Sequence, residues 1–344
     1  MRKKIILCSL ISLGMTLGYG ELLNNQPTRE QIEAQLQDAE KSFNEAKEMF
    51  NPWYTGPLLA PSAHCLSPGY VNLQPYLFIT DNYGAYTNSG KMEHRSHHLF
   101  TLNPLVVGLV GITHWMEATF QVQGIYNSQN GHSSINIGDL PIGLGFGILA
   151  EKPYVPALLL SIQESFPVGK YQHLNPNKGG VDATGSGAYV TKISLNTSKL
   201  VWWWFPKHPM NFRLALSYGI PTTVHVEGFN TYGGGYGTDG KVHPGQTFGL
   251  DFGYEFSFTQ KWAFALDIVY NYVGKTTFSG YPGLDSNGNV ASVGGPFSEQ
   301  VSLAPAIEYN LNANFGFIGG VWFTVWGRNS SAFVSGVLSF TYTF

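Results

Sequence analysis

Charge is what this sequence has least of. Only 12% of its 344 residues are Asp, Glu, Lys or Arg, roughly half the share in an ordinary soluble domain. The formal net charge is −3, so nothing argues for a nucleic-acid partner. Cysteine is nearly absent: there are two, Cys8 and Cys65, and removal of the first with a leader leaves no pair for an internal disulfide. Long apolar runs are missing after the N-terminus, which excludes a helical membrane span of about 18 residues or more in the body of the chain. The N-terminus itself has a positive stretch (Arg2, Lys3, Lys4), an apolar run from Ile5 to Leu17, and Gly18-Tyr19-Gly20 as a small-x-small site. Residues 1–20 therefore read as a secretory signal peptide, too short for a span. Cys8 lies inside the apolar run after Leu7, which does not suit a lipoprotein.

Aromatic residues (15%) and glycine (41 residues) are abundant. The last thirteen residues show why. Phe344, Tyr342, Phe340, Leu338 and Val334 alternate with Thr343, Thr341, Ser339 and Ser335, with Gly336 on the apolar side and Val337 on the hydroxylated one. Period-two alternation puts the two sets on opposite faces of one strand. An edge strand of a soluble β domain would show it too. A chain that stops on an aromatic residue reads better as the closing strand of a transmembrane barrel, apolar toward lipid and polar toward the lumen.

The alternation continues from residue 69. Twelve strands are predicted at 70–80, 97–111, 115–126, 139–150, 156–167, 186–199, 210–226, 245–258, 262–274, 299–311, 314–326 and 332–344. Connections after even-numbered strands are short: 111–114, 151–155, 200–209, 259–261 and 312–313. Those after odd-numbered strands are longer: 81–96, 127–138, 168–185, 227–244 and 275–298, with 327–331 breaking the trend. Sorting of loops by parity, with an even strand count, is the outer-membrane barrel pattern, and a sandwich has no reason for it. The fold class expected is thus all-β: an up-and-down antiparallel transmembrane barrel over 69–344, in the outer membrane of a diderm bacterium.

Residues 21–68 differ. Thr28-Arg29-Glu30-Gln31 fits a capping box after Pro27. Ile32, Leu36, Ala39, Phe43, Ala46 and Phe50 then recur at steps of four and three, which predicts a periplasmic helix over about 28–50. Three roles stay open for it: a solvated helix or tether, a short coiled coil joining copies of the chain into a homo-oligomer, or a plug entering the barrel. Residues 51–68, with Pro52, Pro57, Pro61 and Pro68, read as a non-helical linker carrying Cys65.

Within the barrel, Trp115, Trp202, Trp203, Trp204, Trp262 and Phe344 fall at one rim, where aromatic girdles sit. The inward set offers Glu117, Gln121, Gln123, Lys192, Ser194, Asn196, Arg213, Ser217, Asp251, Glu255, Asp267, Asn271, Glu308, Asn310 and Thr324. Five acids face two bases. Two readings follow: an ion-pair network that fills the lumen, or a mildly acidic channel that disfavours anions. Glu164 falls on the lipid side of strict alternation, where a position near the rim or a bulge would accommodate it.

No constellation makes a strong case for chemistry. His132-Ser133-Ser134 with Asn136 has the His-x-Ser order that outer-membrane phospholipases use to activate a serine, without that family's flanking Asn-Gly. Glu93, His94, His97 and His98 have spacing open to a metal, as surface histidines often do. Gly233-Gly234-Gly235-Tyr236-Gly237 is followed by no Lys-Ser/Thr pair, so it is a flexible loop. No catalytic residue, metal or cofactor is expected.

One set of segments goes beyond architecture: Gly138-Asp139-Leu140-Pro141-Ile142-Gly143-Leu144-Gly145, Pro156-Ala157-Leu158-Leu159-Leu160, Phe166-Pro167-Val168-Gly169-Lys170-Tyr171 and Gly185-Ser186-Gly187-Ala188-Tyr189, with the turn from Gly111 to Glu117. They resemble the outer-membrane barrel family named for the MetA pathway of phenol degradation, over about 69–344. Phe166 stands where that family usually has Leu. The resemblance implies a channel for small aromatic or hydrophobic solutes and no catalytic residues. The expected function is an outer-membrane channel or transporter for small molecules; the alternative is a non-transporting structural or adhesive barrel. The expected partners are outer-membrane lipid, the barrel-assembly machinery through the C-terminal strand, and the solute.

Overall fold

The computed structural model describes residues 28–50, 56–205 and 207–344. The expected signal peptide 1–20, Cys8, Pro27 and residues 51–55 lie outside the described residues. The chain divides into two compact units, Met1–Glu45 and Ala46–Phe344.

Helix α1 (Arg29–Phe50) starts at the anticipated capping box. The Gln31 N–H donates to Thr28 Oγ1 at 3.3 Å, and the Thr28 N–H donates to Gln31 Oε1 at 2.9 Å. Two donors that the helix cannot satisfy internally are thereby paired. Ile32 and Leu36 on its seam are exposed. Among the described residues no helix is long and apolar enough to cross a membrane.

Sixteen strands follow among the described residues: β1 (Val71–Tyr86), β2 (Met92–Thr113), β3 (Met116–Gln129), β4 (His132–Ile137), β5 (Leu140–Leu149), β6 (Ala157–Phe166), β7 (Val190–Val201), β8 (Met210–Pro221), β9 (Val224–Glu227), β10 (Asp239–His243), β11 (Thr247–Ser257), β12 (Trp262–Val273), β13 (Thr277–Tyr281), β14 (Ser298–Asn312), β15 (Phe315–Arg328) and β16 (Ser331–Thr343). Thirteen join in one antiparallel sheet, in which β4 only prolongs the β3 ladder beyond β5. The other twelve close into a transmembrane barrel. β1 pairs with both β2 and the last strand, β16, and β2 pairs with β3, so no edge is left.

The alternation seen in the sequence is the alternation of the wall. Along β16, Val334, Leu338, Phe340 and Tyr342 are exposed, while Ser335, Ser339, Thr341 and Thr343 are buried. A wall with its apolar side chains outside and its hydroxyls inside is stable only against lipid. Glu164 needs no bulge: the β5–β6 register runs unbroken through it, and Thr191 Oγ1 donates to its carboxylate at 2.6 Å.

The chain termini of the barrel and the short turns share one end, here called the turn end; the opposite one is the loop end. Two of the five predicted long loops are instead strand. Residues 81–96 belong mostly to the β1–β2 hairpin, and 127–138 to β3 and β4, joined at Asn130-Gly131, both with positive φ (49° and 77°). Asn-Gly is the preferred sequence for such a tight turn. The predicted strand 210–226 divides into β8 and β9, and β9 joins β10 from loop 227–244 and β13 from loop 275–298 in a small sheet over a core of Ala188, Val224, Val226 and Val242.

Candidate functional site

The segment expected as a linker, 56–68, lies inside the barrel. It has no strand partner there, so its backbone N–H groups need acceptors outside a ladder. Inward polar residues supply four of them, and the His64 N–H donates to Ser62 within the segment. Asp267 on β12 accepts from the Ala60 N–H at 2.9 Å and the Leu59 N–H at 3.3 Å. Ser198 on β7 accepts from Ala63 at 3.0 Å, and Glu117 on β3 accepts from Leu66 at 2.8 Å. Arg213 on β8 donates to the Ala60 carbonyl at 3.2 Å. Leu58 fills a pocket of small and branched residues from the facing strands: Ala265, Ala304, Ala306, Ile318 and Val337. From Leu58 to Ser67 the segment thus follows the inner wall through β15, β12, β8, β7 and β3 to β2, forming a collar at the turn end. At β2 the fit is close. A Cβ on Gly111 would stand 2.0 Å from the Ser67 carbonyl oxygen, so any side chain there displaces the collar.

Beneath and behind the collar lies a charged cluster. Glu255, Glu308 and Asp267 are each fully buried. Arg213 pairs with Glu255 at 3.3 Å, and Asn211 donates to the same carboxylate at 2.6 Å. At the turn-end surface His64 Nε2 lies 2.9 Å from Glu151, whose carboxylate also accepts from Lys199 and the Leu200 N–H. Burial alone would raise the Glu151 carboxyl, but those partners hold it below the usual range.

Above the collar the lumen holds a cavity of about 450 Å3. Of the ten residues expected in the lumen, Glu117, Gln121, Lys192, Arg213, Asp251 and Asn271 line it. Glu255, Asp267 and Glu308 face inward but are sealed away from it. Gln123 is held at the wall, donating to the Asp139 carbonyl at 3.3 Å. Three of the five acids that made the lumen look acidic, Glu117, Asp267 and Glu255, are therefore engaged with the collar or Arg213.

Sequence reasoning missed the other side of the cavity, which is apolar. Tyr76 and Phe78 on β1 stack at 5.7 Å, Trp322 on β15 meets Phe78 edge-on at 6.2 Å, and Phe333 meets Trp322 at 4.8 Å. Leu105, Val107 and Leu109 on β2 continue this surface into the cavity. The Trp322 indole N–H donates to Ser302 at 2.9 Å, which satisfies its one polar atom. Alternation hides such a strip, because both faces of those strands are apolar.

The expected girdle residues sit at the turn end: Trp115, Trp203, Trp204, Trp262 and Phe344 are exposed, and Trp202 packs edge-on against Trp203 at 4.8 Å. The sequence candidates for chemistry do not assemble. The Asn136 amide donates to Ser134 at 3.1 Å, and the His132 side chain has no hydrogen-bond partner among the described residues. His98 pairs with Asp81 at 3.0 Å. Among the described residues no group of three or more His, Cys, Asp or Glu is arranged to hold a metal. Cys65 is a free thiol.

The glycine-rich segments that carry the family resemblance do come together, at the loop end. Asp139, between β4 and β5, accepts from the Gly169 N–H at 3.1 Å, the Ser186 N–H at 2.9 Å and the Ser186 hydroxyl at 2.9 Å. A Cβ on Gly185 would stand 2.6 Å from the Gly169 carbonyl carbon, so the two strands of loop meet backbone to backbone. The Tyr232 hydroxyl donates to the Ser186 carbonyl at 2.6 Å; its burial, with Asp139 and Tyr171 near, pushes that phenol up to about 12. The motif is thus a knot that ties loop 167–189 to the barrel.

Solved structures resemble this architecture. An outer membrane channel from Pseudomonas putida F1 superposes with a TM-score of 0.63 at 12% identity, covering 82% of this chain and 98% of that one. The fold is that of an outer-membrane barrel. Weaker likenesses are the translocator domain of the autotransporter NalP from Neisseria meningitidis (TM-score 0.46, 10% identity, 91% and 96% covered) and the Pseudomonas putida toluene transporter TodX (0.39, 13%, 86% and 95%). Of these three, the first alone is close enough to bear on the fold. No protein-family model matches the barrel, and no curated protein matches it in sequence, so the resemblance in residues 138–189 gains no support from either.

Proposed function

We propose that this barrel is an outer-membrane channel for small, partly apolar molecules, with its turn end in the periplasm and its loop end outside. The observation that carries the reading is the cavity: about 450 Å3 of space inside a closed wall, polar on one side and aromatic on the other. A barrel that served only as a scaffold gains nothing from keeping such a space unfilled, since interiors otherwise close to crystal-like density. Tyr76 and Phe78, with Leu105 and Val107, offer an apolar surface to a ring or short chain, while Gln121, Asn271 and Ser194 offer hydrogen bonds to a polar head. The segments around Asp139 and Gly185 point the same way, through the family they resemble and the solutes that family is linked to. The collar sets the narrowest level of the route.

The test is permeation. Purified protein in planar bilayers should give discrete single-channel steps, and proteoliposomes should swell in small aromatic solutes faster than in sugars of equal mass. Absence of passage for every solute class removes the proposal.

A further inference from the structure

The cavity wall carries four charged side chains, Glu117, Lys192, Arg213 and Asp251. Two of them are engaged by hydrogen bonds or an ion pair, and the third, Asp251, is half-buried. Glu117 accepts from the collar at Leu66. Arg213 is paired with Glu255 and bonded to Ala60. Asp251 has one buried oxygen with no hydrogen-bond partner among the described residues, and lies in the field of Arg213. Lys192 is different: it is exposed to the lumen and has neither an ion pair nor a hydrogen bond among the described residues. It also stands apart in height. In β7 (Val190–Val201) it is two residues from the loop end, whereas in β11 (Thr247–Ser257) Asp251 is four residues in and in β8 (Met210–Pro221) Arg213 is eight residues in. A solute entering from the loop end meets the free ammonium before any of the other three charges.

Across the lumen from Lys192 stands the aromatic and aliphatic wall of β1 and β2, including Tyr76, Phe78 and Leu105. A free cation facing an apolar surface recognises a molecule with an anionic head and a hydrophobic body. We propose that Lys192 is the specificity-determining residue of the cavity and that it selects small amphipathic monoanions, a carboxylate on a ring or short chain. This reverses the cation preference suggested by counting acids, because a carboxylate sealed behind the collar and bonded to backbone N–H groups projects little field into the cavity, while an open ammonium projects its full charge. The proposal rests on the cavity being the solute site; it does not require that solutes cross.

Three probes of one shape separate charge from apolar fit: benzoate, benzyl alcohol and benzylammonium. Their binding to the detergent-purified full barrel would be followed by calorimetry at low salt. The wild type should bind benzoate about tenfold more tightly than the alcohol, with benzylammonium weakest, as one partly desolvated ion pair allows. Lys192→Gln should bring benzoate to the level of the alcohol and leave the alcohol unchanged. Lys192→Glu should prefer benzylammonium, and Lys192→Arg should keep the wild-type order. Heat-modifiable mobility on gels checks that each variant is folded. Equal benzoate binding by the wild type and Lys192→Gln, a wild type that prefers benzylammonium, or a wild type that binds none of the three overturns the inference. Lys192-dependent binding without permeation would sink the channel proposal and spare this one; permeation with no preference for charge would do the reverse.

Discussion

The two halves of the lumen use charge in opposite ways. In the turn-end half, Glu255, Asp267 and Glu308 are fully buried, and the collar and Arg213 take up the hydrogen bonds of the first two. Toward the loop end the Lys192 ammonium stands open, with no ion pair or hydrogen bond among the described residues. A tally of all inward charges, five acids against two bases, weighs these buried carboxylates equally with the open ammonium and misjudges the field. Burial and partners decide what a charge does: a carboxylate that accepts backbone N–H groups is structural, and an unpaired one-charge side chain in open space acts on solutes.

Breaking the turn-end half should have the largest effect. Asp267→Ala strands two collar N–H groups in a buried place and should cost about 3 kcal/mol of stability, at roughly 1–3 kcal/mol for each unsatisfied donor. Thermal unfolding in detergent measures the loss, and single-channel conductance should rise as the collar loosens; an unchanged conductance would mean that the collar does not limit the route. Gly111→Ala should follow at about 2 kcal/mol, by overpacking against the Ser67 carbonyl. It should also raise the conductance, although it removes no charge, which separates collar position from lumen electrostatics.

The loop end should answer to pH instead. Burial alone would raise the Asp182 carboxyl, but Lys170, 2.6 Å away, and the Asn175 N–H hold it below the usual carboxylate range. A depressed folded value means that its stabilisation is complete above the unfolded value, about pH 4, and is lost as pH falls through the lower folded value. Limited proteolysis of loop 167–189 should therefore accelerate below about pH 4 in the wild type, by an amount equivalent to about 1 kcal/mol. In Asp182→Asn it should be fast at every pH. The smallest effect belongs to the outer wall. Glu164→Gln keeps a hydrogen bond with Thr191 and should change stability by no more than about 0.5 kcal/mol; a larger loss would show that the carboxylate charge itself is needed there.

Much of the fold was legible because lipid imposes a simple rule. All twelve wall strands were anticipated, most within two or three residues and the first, second and seventh missed by five or six at their loop ends, since an apolar-out, polar-in ribbon has to alternate. The rule fails wherever water or protein replaces lipid. Residues 92–98 (Met-Glu-His-Arg-Ser-His-His) are strand but polar on both faces, so period two carries no signal there. The hairpin at Asn130-Gly131 had its turn dipeptide in plain view, but the polar strand after it read as loop. Trp322 is inward and apolar, packed against Phe78 and the cluster around Leu58, on a strand whose outward face is apolar as well. The collar was the least legible part. Its prolines and small residues have no period, and its hydrogen bonds go to side chains between 51 and 208 residues away in the chain. The resemblance motif was visible, but its geometry was not: Asp139, Gly169 and Ser186 meet only once three loops are folded.

Closure of the wall brings together residues from opposite ends of the chain. Asn72, at the start of β1, donates its amide to the hydroxyls of Thr341 and Thr343 at 2.9 and 2.7 Å, the second pair being 271 positions apart. Chain entropy makes contacts of such separation the slowest to form. The β1–β16 seam is thus where assembly of the cylinder should finish and where forced unravelling should begin, with one lumen-facing asparagine amide as its latch.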